Sequence, residues 1–144
     1  MKKIVFVCLG NICRSPMAEF VMKELDKGES LHIESRATSS WEHGNSVHQG
    51  TQKILREYAI SFDSSKGSQQ ISRADFEFFD LVVGMDESNV ENLLQISAGR
   101  YDDKIKLFRP GGVPDPWYTG DFEETYKLVT AGCRDWLQWI KDRQ

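Results

Sequence analysis

Cys8 and Arg14 are separated by five residues in the stretch CLGNICRSP, positions 8 to 16. A thiol, a short turn and a guanidinium together can act on a tetrahedral anion. A loop that curls between a strand and a helix start can turn its backbone N–H groups inward, and the unpaired amides and dipole of the helix add to them. The concavity formed by Leu9, Gly10, Asn11, Ile12, Cys13, Arg14 and Ser15 therefore suits a phosphate-like dianion. Arg14 closes the ring with a bidentate contact to two oxygens. Gly10 and Asn11 suit the turn because both tolerate positive φ, and the Asn11 side chain can bond the loop backbone. The same field favours a thiolate, the nucleophilic form of a cysteine, and the Ser15 hydroxyl could donate to that sulfur. A thiolate at the base of such a cradle is placed for attack on phosphorus opposite the leaving oxygen.

Displacing an alkoxide or phenoxide needs a proton donor on the far side, and hydrolysing the resulting phosphocysteine needs a base to activate water. One carboxyl group could do both. Asp115 lies between Pro114 and Pro116 in VPDPWY, a segment stiffened on both sides. Without context, an aspartate in such a place reads first as an ordinary turn residue. Trp41, Trp117 and Tyr118 fall on expected loops, where large aromatics are not needed for a core, and together could wall a slot for a flat phenyl ring. The C-x5-R spacing alone is a weak signal; its setting between a strand and a helix opened by Ser-Pro gives it weight. His32, His43 and His48 show no pattern that would pair one with Cys8 and read as surface residues. Cys8 and Cys13 lack partner ligands for a metal, so neither metal nor cofactor is expected.

These residues need a frame to hold them. Lys2 to Val7 looks like a buried strand; Ser15 can cap a helix with Pro16 at its first position, and Met17, Phe20, Val21 and Leu25 then share one helical face. Leu31 to Ala37 alternates like a second strand. A polar loop from Thr38 to Asn45 leads to a helix around His48 to Tyr58, and Asp63 to Gln70 reads as loop. Ser72 with Asp75 resembles a capping box for a short helix, Leu81 to Met85 a third strand, and Asp86 the cap of a helix carrying Val90, Leu93 and Leu94. Ile105 to Phe108 is the fourth strand. The segment Arg109 to Gly120, with three prolines and three glycines, reads as loop. Phe122, Tyr126, Val129, Cys133, Trp136, Leu137 and Ile140 then mark a long amphipathic helix, on which Trp136 and Trp139 read as packing. Strands alternating with helices imply an α/β fold of three layers, a four-stranded parallel sheet with helices on both faces. In such sheets ligands sit at the carboxyl ends of the strands, where Cys8 falls.

The chain has 144 residues, 40% hydrophobic and 28% charged, which suits a single domain over residues 1–144. Neither a signal peptide nor a membrane-length apolar run is seen, so a cytoplasmic protein with no membrane partner is expected. Three cysteines are too few for a disulfide scaffold. A net charge of −4 without a basic block argues against nucleic acid as a partner.

CLGNICRSP near the N-terminus, MDESN at Met85 to Asn89 and DPWY at Asp115 to Tyr118 resemble the low-molecular-weight protein-tyrosine phosphatases, over nearly the whole chain. The resemblance implies a metal-independent enzyme that hydrolyses phosphotyrosine in protein substrates through a phosphocysteine intermediate, with inorganic phosphate or other oxyanions as product or inhibitor. It implies Cys8 as nucleophile, Arg14 as phosphate clamp and Asp115 as general acid and then base. Asn11 and Ser15 would organise the loop, and Trp41, Trp117 and Tyr118 would line the substrate slot. Cys13 matches a second loop cysteine that in many members pairs reversibly with the nucleophile. One departure is the segment Ser64 to Ile71, SSKGSQQI, where many relatives carry a His and an Arg. Protein-arginine phosphatases of the same family tend to have Thr where this chain has Ile12 and lack the aromatic pair after Asp-Pro. Arsenate reductases of the same fold relay oxidation through two further cysteines, whereas only Cys133 lies outside the loop here.

Overall fold

The structure, a computed structural model, describes residues 2–143. Its elements run β1 (Lys2–Cys8), α1 (Arg14–Asp26), β2 (Leu31–Ala37), α2 (Gln49–Glu57), α3 (Arg73–Phe78), β3 (Leu81–Gly84), α4 (Glu87–Ile96), β4 (Ile105–Leu107), α5 (Pro116–Thr119) and α6 (Phe122–Asp142). The four strands are parallel and ordered β2-β1-β3-β4. β1 is paired along one edge from Lys2↔Leu31 to Cys8↔Ala37 and along the other from Ile4↔Leu81 to Val7↔Gly84. Such a strand must be apolar on both faces, which is why it reads as a continuous run, KKIVFVC, instead of alternating.

The pleat of β1 divides its side chains between two cores. Ile4, Phe6 and Cys8 join α1, α2 and α6 through Met17, Leu55, Val129, Cys133 and Ile140. Val5 and Val7 pack on the other face with Phe76 and Phe79 beside α3 and Leu93 of α4. The expected three layers are present, and strand parity sends the Cys8 sulfur toward the face where α1 begins.

The capping residues Ser72 and Asp86 act as expected, each in a full capping box, with Asp75 and with Asn89. Two expectations are corrected. α1 starts two residues earlier than the Ser-Pro pair suggests: Cys13 is the N-cap, without a side-chain bond to the helix, and Ser15 and Pro16 already lie in the first turn. Ser15 is drawn away from capping because its hydroxyl bonds the Cys8 sulfur instead. The segment 109–120 is not loop throughout. Asp115 caps a four-residue helix, α5, with Pro116 at its first position and Gly120 as a left-handed stop.

Candidate active site

The end of β1, the loop behind it and the start of α1 form the floor of a cavity of about 200 Å³. Cys8, Leu9, Gly10, Ile12, Cys13 and Arg14 line it from below, and Trp41, Asp115, Trp117 and Tyr118 from the rim. Asn11 and Ser15 are buried within the loop itself. The residues expected from the sequence thus converge, although the loop and the Asp-Pro segment lie a hundred positions apart.

The Cys8 sulfur meets donors on two sides. The Asn11 backbone N–H points to it at 3.3 Å, and the Ser15 hydroxyl stands 3.0 Å away. Asn11 takes the left-handed conformation, φ 56°, that brings its N–H round to the sulfur. The expectation of positive φ at Gly10 is not met; it is Asn11 alone in the loop that adopts it. Gly10 serves a different need, since a Cβ there would lie 3.3 Å from the Glu42 side chain, while its carbonyl accepts from Ser68 Oγ at 2.7 Å.

Arg14 is 2% exposed. Its Nη1 donates to Asp86 Oδ2 at 2.5 Å and to the Val113 carbonyl at 3.0 Å, and its Nη2 stands 3.3 Å from Asp115 Oδ2. Burial works against its charge, but Cys8, Asp86 and Asp115 outweigh burial and hold the guanidinium above its ordinary range. Its Nε is buried with no hydrogen-bond partner, which is rare for a buried donor.

Asp115 divides its carboxylate between two tasks. Oδ1 accepts from the Trp117 N–H at 3.0 Å, capping α5, and Oδ2 faces Arg14 across the cavity. The segment leading to it is clamped to the end of β3: Val113 N–H donates to the Met85 carbonyl at 2.9 Å. At Gly112, φ is 70° and a Cβ would come within 2.9 Å of Asp86 Cβ, so only glycine passes there without displacement. Trp41 and Tyr118, both 78% exposed, and Trp117 stand around the opening.

Sequence reasoning missed several neighbours. Asp86 was legible as a helix cap, and its Oδ1 does accept from Asn89 N–H, but its second oxygen pairs with Arg14. Glu42 places a carboxylate on the cavity wall beside Trp41, held by Asn45 Nδ2 at 2.6 Å. His48, expected on the surface, is half-buried. Its Nδ1 accepts from Gly50 N–H at the start of α2, and its ring stacks on Phe122 and meets Trp117 edge-on at 5.6 Å. Among the described residues, no group of three or more His, Cys, Asp or Glu could hold a metal, and no helix is long and apolar enough to cross a membrane.

Cys13, four residues' width of loop from Cys8, has a different environment. Burial pushes its thiol up, and the negative charges of Cys8 and Asp115 push it further, against Arg14. All three cysteines are free.

Comparison with known proteins matches residues 3–144 to the family described as low molecular weight phosphotyrosine protein phosphatase. A curated relative from Staphylococcus aureus, the low molecular weight protein-tyrosine-phosphatase PtpA, is 39% identical over 97% of this chain and 94% of its own. Among solved structures, SP-PTP, a low molecular weight protein tyrosine phosphatase from Streptococcus pyogenes, superposes with a TM-score of 0.96 at 61% identity, covering 97% of this chain and 93% of that one. YfkJ from Bacillus subtilis gives 0.95 at 37% identity over 100% and 97%.

Proposed function

The chain belongs to the low molecular weight phosphotyrosine protein phosphatase family, and from that premise we propose how its own residues carry out the hydrolysis of phosphotyrosine in protein substrates. The phosphoryl dianion sits in the cradle of residues 8–15, with two of its oxygens on Arg14. The Cys8 thiolate attacks phosphorus; the S–P bond forms as the P–O bond to the phenol breaks. The phenoxide takes its proton from the Asp115 carboxyl group. Asp115, now a carboxylate, accepts a proton from water as the water oxygen attacks phosphorus and the S–P bond breaks, releasing inorganic phosphate and restoring the thiolate. Trp41, Trp117 and Tyr118 hold the flat ring of the substrate between them.

The observation that carries this reading is the buried Arg14 Nε, without a hydrogen-bond partner, on a side chain that lines the same cavity as Cys8. A guanidinium already bound to two carboxylates and still short of an acceptor suits an oxyanion above Cys8. Ile12 in the floor and the aromatic rim favour an aryl ester over a phosphoguanidine. Cys133, fully buried in the α6 core with its sulfur 3.6 Å from the Ala18 carbonyl, offers no relay for reducing arsenate.

The test is a comparison of kcat/KM on phosphotyrosine, phosphoserine and phosphoarginine peptides, with rapid-quench trapping of a phosphoenzyme. Turnover dominated by phosphotyrosine and a phosphate mapped to Cys8 are expected. Faster turnover of phosphoarginine, or phosphate on any other residue, would overturn the assignment.

A further inference from the structure

The floor and the wall of the cavity come from distant parts of the chain, and His48 touches both. Its backbone N–H donates to the Ile12 carbonyl at 2.8 Å, which ties it to the cradle. Its ring meets the Trp117 ring edge-on, with 5.6 Å between centroids and 80° between planes. Ile12 and Trp117 both line the cavity, whereas His48 stands behind them. One residue therefore spans from the cradle to the aromatic rim.

Trp117 needs such a support. It sits on α5, a helix of four residues held by one side-chain cap at Asp115 and a glycine stop, too short to fix a large ring by itself. Its side chain is more than half exposed. An edge-on pair of rings attracts beyond the area it buries, because the positive edge of one faces the negative face of the other. The His48 ring is itself fixed from two directions. Nδ1 accepts from the Gly50 N–H at 2.9 Å, as the N-cap of α2. A ring nitrogen that accepts carries no hydrogen, so the neutral ring keeps its proton on Nε2. Phe122, the first residue of α6, stacks on the same ring at 5.1 Å and 20°. It can lie there because residue 50 is glycine; a Cβ at that position would run into the Phe122 ring.

We infer that His48 is a positioning residue that fixes the Trp117 wall relative to the cradle and thereby gives the site its preference for a flat aryl group on phosphorus. The inference rests on the reading of the site as one for aryl phosphates, and it names the residue outside the cavity that sets the slot. Two functions meet in this side chain: an acceptor for the start of α2 and a ring for the wall. Each can be removed while the other is kept.

The test reads binding instead of turnover. Isothermal titration gives the Kd of methylphosphonate, which reaches the cradle alone, and of phenylphosphonate, which reaches cradle and wall. The proteins are the unaltered chain, His48→Asn, His48→Phe, Trp117→Ala and the His48→Asn/Trp117→Ala double variant. Asn keeps an acceptor for the Gly50 N–H and loses the ring; Phe keeps a ring and loses the acceptor. The unaltered chain is expected to bind phenylphosphonate more tightly than methylphosphonate. His48→Asn should weaken phenylphosphonate about fivefold, the worth of one edge-on ring contact, and leave methylphosphonate unchanged. His48→Phe should keep the preference and melt a few degrees lower. In the Trp117→Ala background, His48→Asn should weaken phenylphosphonate no further, since the wall it supports is gone. A full preference in His48→Asn, or its loss in His48→Phe, would reduce His48 to a helix cap and overturn the inference. An equal loss for both phosphonates in His48→Asn would do the same. If His48→Asn does not fold, His48→Ser, a cap without a ring, decides by the same criteria. Failure of the underlying reading looks different: the unaltered chain would then bind the two phosphonates alike.

Discussion

Cys8 and Cys13 stand at the two ends of one loop, 3% and 4% exposed, and what surrounds each sulfur differs. Cys8 ends a strand, where the chain turns back and offers it the Asn11 N–H and the Ser15 hydroxyl. Cys13 begins a helix, has no side-chain bond to it, and is pushed toward the protonated form by burial and by the charges of Cys8 and Asp115. Equal burial therefore does not mean equal chemistry. Burial alone disfavours a charged sulfur, as at Cys133, which burial likewise pushes up; only convergent donors can reverse that.

The comparison breaks most completely if the roles of the two thiols are exchanged in fact. Cys8→Ser is expected to lower turnover of an aryl phosphate by at least about ten thousandfold, while isothermal titration still detects phosphate binding. Substantial residual turnover would transfer the nucleophile elsewhere. Next in size, Asp115→Asn should cost about a hundred- to a thousandfold on a phosphate ester with a poor leaving group and much less on p-nitrophenyl phosphate; equal losses on both would mean that another group supplies the proton. Ser15→Ala removes one of the two donors at Cys8 and should reduce kcat/KM by about tenfold, with a matching slowing of alkylation near pH 6. Smallest of all, Cys13→Ala should change turnover less than any of these. Because its thiol is shifted upward, Cys13 stays protonated throughout the neutral range, so mass mapping after brief alkylation at pH 7 should find Cys8 modified and Cys13 intact. Equal labelling would erase the contrast.

How far the sequence revealed this arrangement depends on the range of the interactions. β1 and α6 were legible because a doubly paired strand and an amphipathic helix impose their pattern on consecutive residues. The caps at Ser72 and Asp86 were legible because a capping box lies within four residues. The cradle was legible for the same local reason, although the sequence could not show that Ser15 would serve the sulfur and leave the helix end to Cys13. α5 was missed because four residues carry no periodicity and a proline-rich segment reads as loop. Asp86 facing Arg14, Glu42 on the wall and His48 against Trp117 were missed because each pairing joins residues far apart in the chain, and nothing in a local pattern records a contact that only the packed sheet creates.

The glycine at position 112 has one further consequence. Where it crosses the end of β3, the strap that carries Asp115 has no room to thicken. A methyl group there would act as a wedge, tipping the acid outward and leaving the floor of the cradle undisturbed, so such a variant should still collect anions yet release the phenol slowly. The outer turn at 117–119, by contrast, is exposed, so side chains there can be exchanged to reshape the rim without pressing on the strap beneath.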